Sequence, residues 1–206
     1  AAGTASDTTG QLAPAVGPSS TFAADNTPPS ISIGTPSATQ TKTGPVTYTI
    51  SYGGASNITL TWSNITLHKT GTANGNATVS GTGNTSRTIT VSGCSGEGTL
   101  GISIAAGTAT DLAGNSAPAA GPSATFNVDY VAPTVSISAP SAAQTSGGPI
   151  TYTITYGGAD TVTLANANVS LNKTGTANGT VAVSGTGTTT RTVTISGITG
   201  DGTLGI

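Results

Sequence analysis

The chain has 206 residues, only 6% of them charged, and a formal net charge of −2. About a third of the residues are Ser or Thr, 30 are Gly, and the apolar residues are mostly Val, Ile and Ala. This composition excludes a polyelectrolyte coil, offers no basic stripe to nucleic acid and no cationic face to a membrane, and favours strands.

Apolar residues alternate with Thr and Ser at period 2, which puts one face of a strand on a core and the other in water. In chain order, strands are expected at about 30–34, 45–52, 57–62, 64–69, 76–80, 86–92 and 99–105, closed by an eighth segment near 123–129. Val46, Tyr48, Ile50 and Tyr52 carry the pattern, as do Ile58, Leu60 and Trp62, then Ile89 and Val91, then Leu100, Ile102 and Ile104. Turn signals such as YGGASN, the NG at 74–75 and GTGN at 81–84 separate them. No segment has a persuasive 3.6-residue apolar period, and none reaches the ~18 apolar residues of a spanning helix, so no membrane insertion is expected. The spacing predicts an all-β fold, a two-sheet antiparallel sandwich.

The pattern repeats. GPVTYTISYGGAS at 44–56 returns as GPITYTITYGGAD at 148–160, HKTGTANG at 68–75 as NKTGTANG at 172–179, and GEGTLGI at 96–102 as GDGTLGI at 200–206, each offset by 104 positions. A period this long matches a whole small β-domain with its own core. Residues 27–129 therefore read as one complete repeat and 130–206 as a second repeat without its last strand region. Residues 1–26, a worn copy of the segment from 105 onward, read as the last strand region of a preceding repeat or as a donor segment. With no Met in it, the sequence is expected to be a processed or excised piece. Its ends are complementary, as in a window cut from a covalent repeat array or in subunits that complete one another by strand addition.

The segment TATDLAGNSA, followed by ATFNVDYVAPTVSIS, is similar to the end of one bacterial immunoglobulin-like (Big-type) repeat and the start of the next. Such repeats occur in giant extracellular adhesins and surface fibre proteins. The Asp-x-x-Gly-Asn turn, the Val-Asp strand end and the Ala-Pro-Thr linker carry the resemblance over both repeats. The first copy departs from it, with SDTTGQLA and Asn-Thr-Pro-Pro in the corresponding places. The resemblance implies tandem immunoglobulin-like antiparallel β-sandwiches in an elongated array at the bacterial cell surface. The partners it implies are further copies of the same repeat, head to tail; adhesion to glycans or a host surface through exposed loops is the alternative.

The scarce carboxylates repeat as well. Asp7 pairs with Asp111, Asp25 with Asp129 and Glu97 with Asp201 at the 104-residue offset, and Asp160 replaces Ser56. With immunoglobulin-like topology, Asp25 and Asp111 converge on the junction entering the first full repeat. Glu97, Asp129 and Asp160 converge on the junction between the repeats. Gathered carboxylates in a cation-poor chain suit Ca²⁺, which takes about six to eight oxygens, with Asn115 or backbone carbonyls completing the shell. The competing expectation is plain turn chemistry: an Asx turn at Asp111, turn pairs Glu97–Gly98 and Asp201–Gly202, and a strand end at Asp129.

No catalytic constellation emerges. The one histidine, His68, becomes Asn172 in the second repeat, the one cysteine, Cys94, becomes Ile198, and no Gly-Lys-Ser/Thr phosphate loop occurs. Trp62 and the repeated tyrosines are expected to pack in the core or on a sheet rather than to bind sugar. Lys69, Lys173, Arg87 and Arg191 are expected at strand edges or in exposed ion pairs.

Overall fold

The computed structural model describes residues 1–206, which divide into two units, Ala1–Asp129 and Tyr130–Ile206. The first unit contains β1 (Ser30–Ile33), β2 (Gln40–Thr41), β3 (Val46–Gly53), β4 (Asn57–Ile58), β5 (Ile65–Lys69), β6 (Asn74–Ser80), β7 (Ser86–Ser95), β8 (Gly98–Ile104), β9 (Ala109–Thr110) and β10 (Phe126–Val128). The second contains β11 (Thr134–Ile137), β12 (Ile150–Gly157), β13 (Asn172–Lys173), β14 (Asn178–Ser184), β15 (Thr190–Thr199) and β16 (Leu204–Gly205).

Alternation builds the first sheet, ordered β1-β3-β7-β6. Along β3, Val46, Tyr48, Ile50 and Tyr52 are buried while Thr49, Ser51 and Gly53 face solvent. Tyr48 stands opposite Ile89 and Val46 opposite Val91, so one register buries every apolar residue of both strands. A second sheet, ordered β2-β10-β8-β5, is antiparallel except for the parallel β10–β2 pair. Its Leu100, Ile102, Phe126 and Val128 join the same core, giving a β-sandwich-like unit. The Tyr48 and Phe126 rings meet across the two sheets at 6.4 Å and 45°. Because a buried hydroxyl needs a partner, Tyr48 Oη donates to the carbonyl of Ala124 at 2.9 Å.

The turn from β7 to β8 explains why GEGTLGI repeats. Gly96 and Gly98 have φ of +75° and +137°, and a Cβ on either would collide with the carbonyls of Thr72 and Thr70. Their copies Gly200 and Gly202 meet the carbonyls of Thr176 and Thr174 in the same way.

The second unit repeats the first sheet as β11-β12-β15-β14, with Tyr152 opposite Val193 where Tyr48 stands opposite Ile89. Its second sheet is the β13–β16 pair alone. Its buried core is accordingly smaller: Tyr152, Ile154, Val193 and Ile195, with half-buried Leu164, Ile198, Leu204 and Ile206 around them.

Several sequence expectations change here. The strand expected at 57–62 ends at Ile58, and Trp62–Asn64 form a 3-10 turn. The Asn64 side-chain oxygen accepts both the Thr61 N–H and the Thr61 hydroxyl at 2.9 Å, so local side-chain bonding displaces the ladder. The turn lifts Trp62 off the sheet to 73% exposure, and the expectation that it packs fails with the strand. The two-residue strands β2 and β9 are too short to show a period. Arg87 and Arg191 are struts rather than edge charges. Arg87 donates to the carbonyls of Gly83 and Ser86 at 2.8 Å and of Ile58 at 3.3 Å, and Arg191 donates to those of Gly187, Thr190 and Val162.

Phe126 is 1% exposed and joins the two sheets. Phe126→Ala should lower the stability of the first unit by about 3–5 kcal/mol. Urea unfolding followed by far-UV circular dichroism should show that transition moving to lower denaturant while the second unit's stays in place.

Candidate functional site

Asp111 sits at the tip of a hairpin closed by Gly107 N–H to the Ala117 carbonyl, Ala117 N–H to Ala109 and Asp111 N–H to Asn115, at 2.9–3.1 Å. The same three bonds recur at Gly3–Ala13, Ala13–Ala5 and Asp7–Gln11, at 2.8–3.0 Å. The tip is locally encoded by its aspartate. Asp7 Oδ1 accepts the N–H groups of Thr9 and Gln11 and the Thr9 hydroxyl at 2.7–2.9 Å. The Thr9 hydroxyl first, then those N–H groups, hold its carboxyl below the usual carboxylate range.

At the second tip Asn115 replaces Gln11 and adds a long-range link. Asp111 Oδ1 accepts the Asn115 N–H and Oδ2 accepts Asn115 Nδ2, both at 2.8 Å. The same Nδ2 also donates to the Asp25 carbonyl at 3.0 Å. The structure thus brings together Asp111, Asn115 and the backbone of Asp25. The Asn115 amide holds the Asp111 carboxyl below its ordinary value.

This arrangement does not fit a calcium shell. A cation needs oxygens aimed at one centre, and the place between Asp111 and the Asp25 carbonyl is taken by an amide N–H₂ group. The Asp25 carboxylate is turned to its own chain, where Oδ1 accepts the Thr27 N–H at 2.9 Å. No group of three or more Asp, Glu, His or Cys side chains is placed to hold a metal ion.

The other acidic positions serve turns and strand ends. Glu97 and Asp201 repeat through their backbones: each N–H donates to a threonine hydroxyl (Thr72 at 2.9 Å, Thr176 at 3.0 Å), and each carbonyl accepts that threonine's N–H. Asp129 Oδ2 accepts Gln40 Nε2 at 2.7 Å. Asp160 is exposed in the bend after β12. Sequence reasoning overlooked Gln40, Thr72 and Thr176 as partners, although Gln40 and Thr72 both recur at the 104-residue offset, as Gln144 and Thr176.

Outside the acidic loops, His68 Nε2 lies 2.6 Å from Ser103 Oγ on an exposed sheet face. Cys94 is buried, and burial pushes its thiol up, away from the reactive thiolate. Two cavities stand out. One, of about 470 Å³, opens in the second unit among Gln144, Thr145, Tyr152, Ile198, Gly202 and Leu204. The other, of about 400 Å³, is a shallow cleft of the first unit beside Trp62, Val79 and Arg87.

Comparison with known proteins supplies no relative: no family model matches the chain, and no curated protein or solved structure is significantly similar to it.

Two outcomes follow from the amide clamp. Its Asp111 contribution is in place above pH ~4, the ordinary aspartate value, and is lost as pH falls through the lower folded-state value. Carboxyl NMR titration should therefore place Asp111 and Asp7 below that value. Asn115→Leu should cost about 1 kcal/mol, and the melting temperature should be the same in excess Ca²⁺ and in chelator. A rise on adding Ca²⁺ would show that the carboxylates rearrange around the ion.

Proposed function

We propose that the chain is a structural segment of an extracellular bacterial stalk or filament built from tandem immunoglobulin-like sandwiches. What supports this is the kind of residue that repeats. Arg87 and Arg191, Thr72 and Thr176, Asn64 and Asn168, and Lys69 and Lys173 recur with the same hydrogen-bond partners one period apart. The residues a ligand would touch do not recur: Trp62 becomes Asn166 and His68 becomes Asn172. Repetition that keeps the framework and varies the exposed groups is expected where each bead has to fold and bear load, and binding is not the task. No catalytic step is assigned, and the amide clamp at Asn115 supplies stiffness at the entry to the first full repeat without a metal.

One observation favours a second reading, an adhesive module for glycans. Trp62 is 73% exposed beside the cleft that Arg87 lines, an aromatic platform with a donor near it.

Immunogold labelling of intact source cells should decorate extended structures outside the envelope. Label that appears only after permeabilisation would overturn the surface assignment. On a glycan array the chain should show no binding; binding that Trp62→Ala abolishes would favour the adhesive reading.

A further inference from the structure

The chain contains two Asn-Gly pairs, Asn74–Gly75 and Asn178–Gly179, and they are copies of each other one period apart. Each opens the edge strand of a four-stranded sheet, β6 in the first unit and β14 in the second. Packing requires the glycine in both. A Cβ on Gly75 would press on Val91 Cγ1 at 3.1 Å and Leu100 Cδ1 at 3.3 Å, and one on Gly179 would stand 2.7 Å from Ile195 Cγ2. The asparagine before it is exposed in both units. The core thus keeps at the surface a dipeptide in which the backbone nitrogen, with no Cβ beside it, approaches the asparagine side chain unhindered.

The surroundings of Asn74 favour attack on its side-chain carbonyl. Gly75 lies at a break in the ladder, between Asn74 opposite Ser95 and Asn76 opposite Ser92, and its N–H donates to Asn74 Oδ1 at 2.9 Å. The two reacting atoms, Gly75 N and Asn74 Cγ, are therefore neighbours before any bond forms. Lys69, the last residue of β5, donates from Nζ to the same Oδ1 at 2.6 Å. Negative charge develops on Oδ1 when a nucleophile adds to Cγ, and a donor already in place there lowers the barrier. The exposed ammonium has three N–H donors and no lone pair, so it assists the attack and does not make it. One period on, Lys173 Nζ reaches Asn178 Oδ1 at 3.2 Å.

We infer that Asn74–Gly75 is a site of self-modification, where the asparagine amide converts to a carboxylate with Lys69 holding the oxyanion and water as co-reactant. Gly75 N bonds to Asn74 Cγ and gives up its proton to water. The oxyanion at Oδ1 collapses, the Cγ–Nδ2 bond breaks, and Nδ2 takes a proton from solvent and leaves as ammonia. One water then opens the succinimide. Breaking the Cγ–N bond yields aspartate; breaking the bond between the Asn74 carbonyl carbon and Gly75 N yields isoaspartate. Amide and water become carboxylate and ammonium, and nothing is oxidised or reduced. The fold accommodates both products. The new carboxylate meets the Lys69 ammonium, and the isoaspartyl link puts its extra methylene where the ladder is already interrupted. A chain with seven acidic residues gains a charge that its sequence does not encode.

The test incubates the full 206-residue chain at neutral pH and follows its asparagines by peptide mass spectrometry, with fragmentation that separates isoaspartate from aspartate. Asn74 should show the amide-to-acid mass increase and yield both products, while Asn84, exposed in the β6–β7 turn and followed by Thr85, stays an amide. Lys69→Met should slow conversion at Asn74 by about fivefold, the attraction of one exposed charge at contact distance in water. Lys69→Arg should keep the wild-type rate. The substitutions lie at an exposed strand end, and an unchanged far-UV circular dichroism spectrum checks that each variant folds. In urea the effect of Lys69→Met should vanish, because the contact exists only in the folded chain. Three results would each overturn the inference: an Asn74 that keeps its amide in the folded chain, a folded Lys69→Met chain that converts at the wild-type rate, and a mass lower by one ammonia with residues 69 and 74 cross-linked, in which the lysine itself is the attacker.

Discussion

The first unit depends on a strand placed between two others that are distant from it in sequence. β10 bridges β8 and β2, and its Phe126 meets Tyr48 of the facing sheet. That insertion turns two half-open layers into one closed core. Remove the strand and β2 has no neighbour, β8 has an edge, and Tyr48 loses both the ring it packs on and the carbonyl it donates to. The position one period after β10 lies beyond Ile206, so residues 130–206 show the two layers without that strand. Leu204 is half-buried where Leu100 is fully buried, and Val135 and Ile137 are 63% and 56% exposed where Ile31 and Ile33 pack against the core. Closure of such a sandwich is a non-local event, and loop-closure entropy is spent before the long-range contacts reward it.

Around that closure the chain uses hydrogen bonds where charge-poor composition leaves few ion pairs. Threonine hydroxyls clamp the β7–β8 turn, arginine guanidiniums gather loop carbonyls, and one asparagine amide ties the entry segment to the last hairpin. Each satisfies backbone groups that turns would otherwise leave to water. Such bonds, unlike exposed ion pairs, lose little to salt screening. The acidic residues belong to the same scheme, because Asp7 and Asp111 organise hairpin tips and Glu97 and Asp201 occupy a turn whose backbone is what repeats.

Much of this was legible in the residues. Seven of the expected strands correspond to observed ones, because a strand with one buried face writes its period into the sequence. The strand expected at 57–62 was misread because Thr61 and Asn64 bond to each other, and a three-residue turn has no period to detect. The acidic pairs were visible as repeats, yet their grouping was not. Distance along the chain does not tell a carboxylate whether an amide, a backbone N–H or another carboxylate will stand next to it.

The sequence by itself determined the all-β class, the 104-residue period and the locally bonded hairpin tips, since alternation, turn glycines and Asx turns act within a few residues. Only the tertiary structure decided that the Asn115 amide bridges Asp111 and the Asp25 carbonyl, that Trp62 leaves the sheet, and that Phe126 is buried against Tyr48. Burial of Phe126 depends on β2, β8 and Tyr48, parts of the chain far apart in sequence, so it cannot be read from the residues next to it.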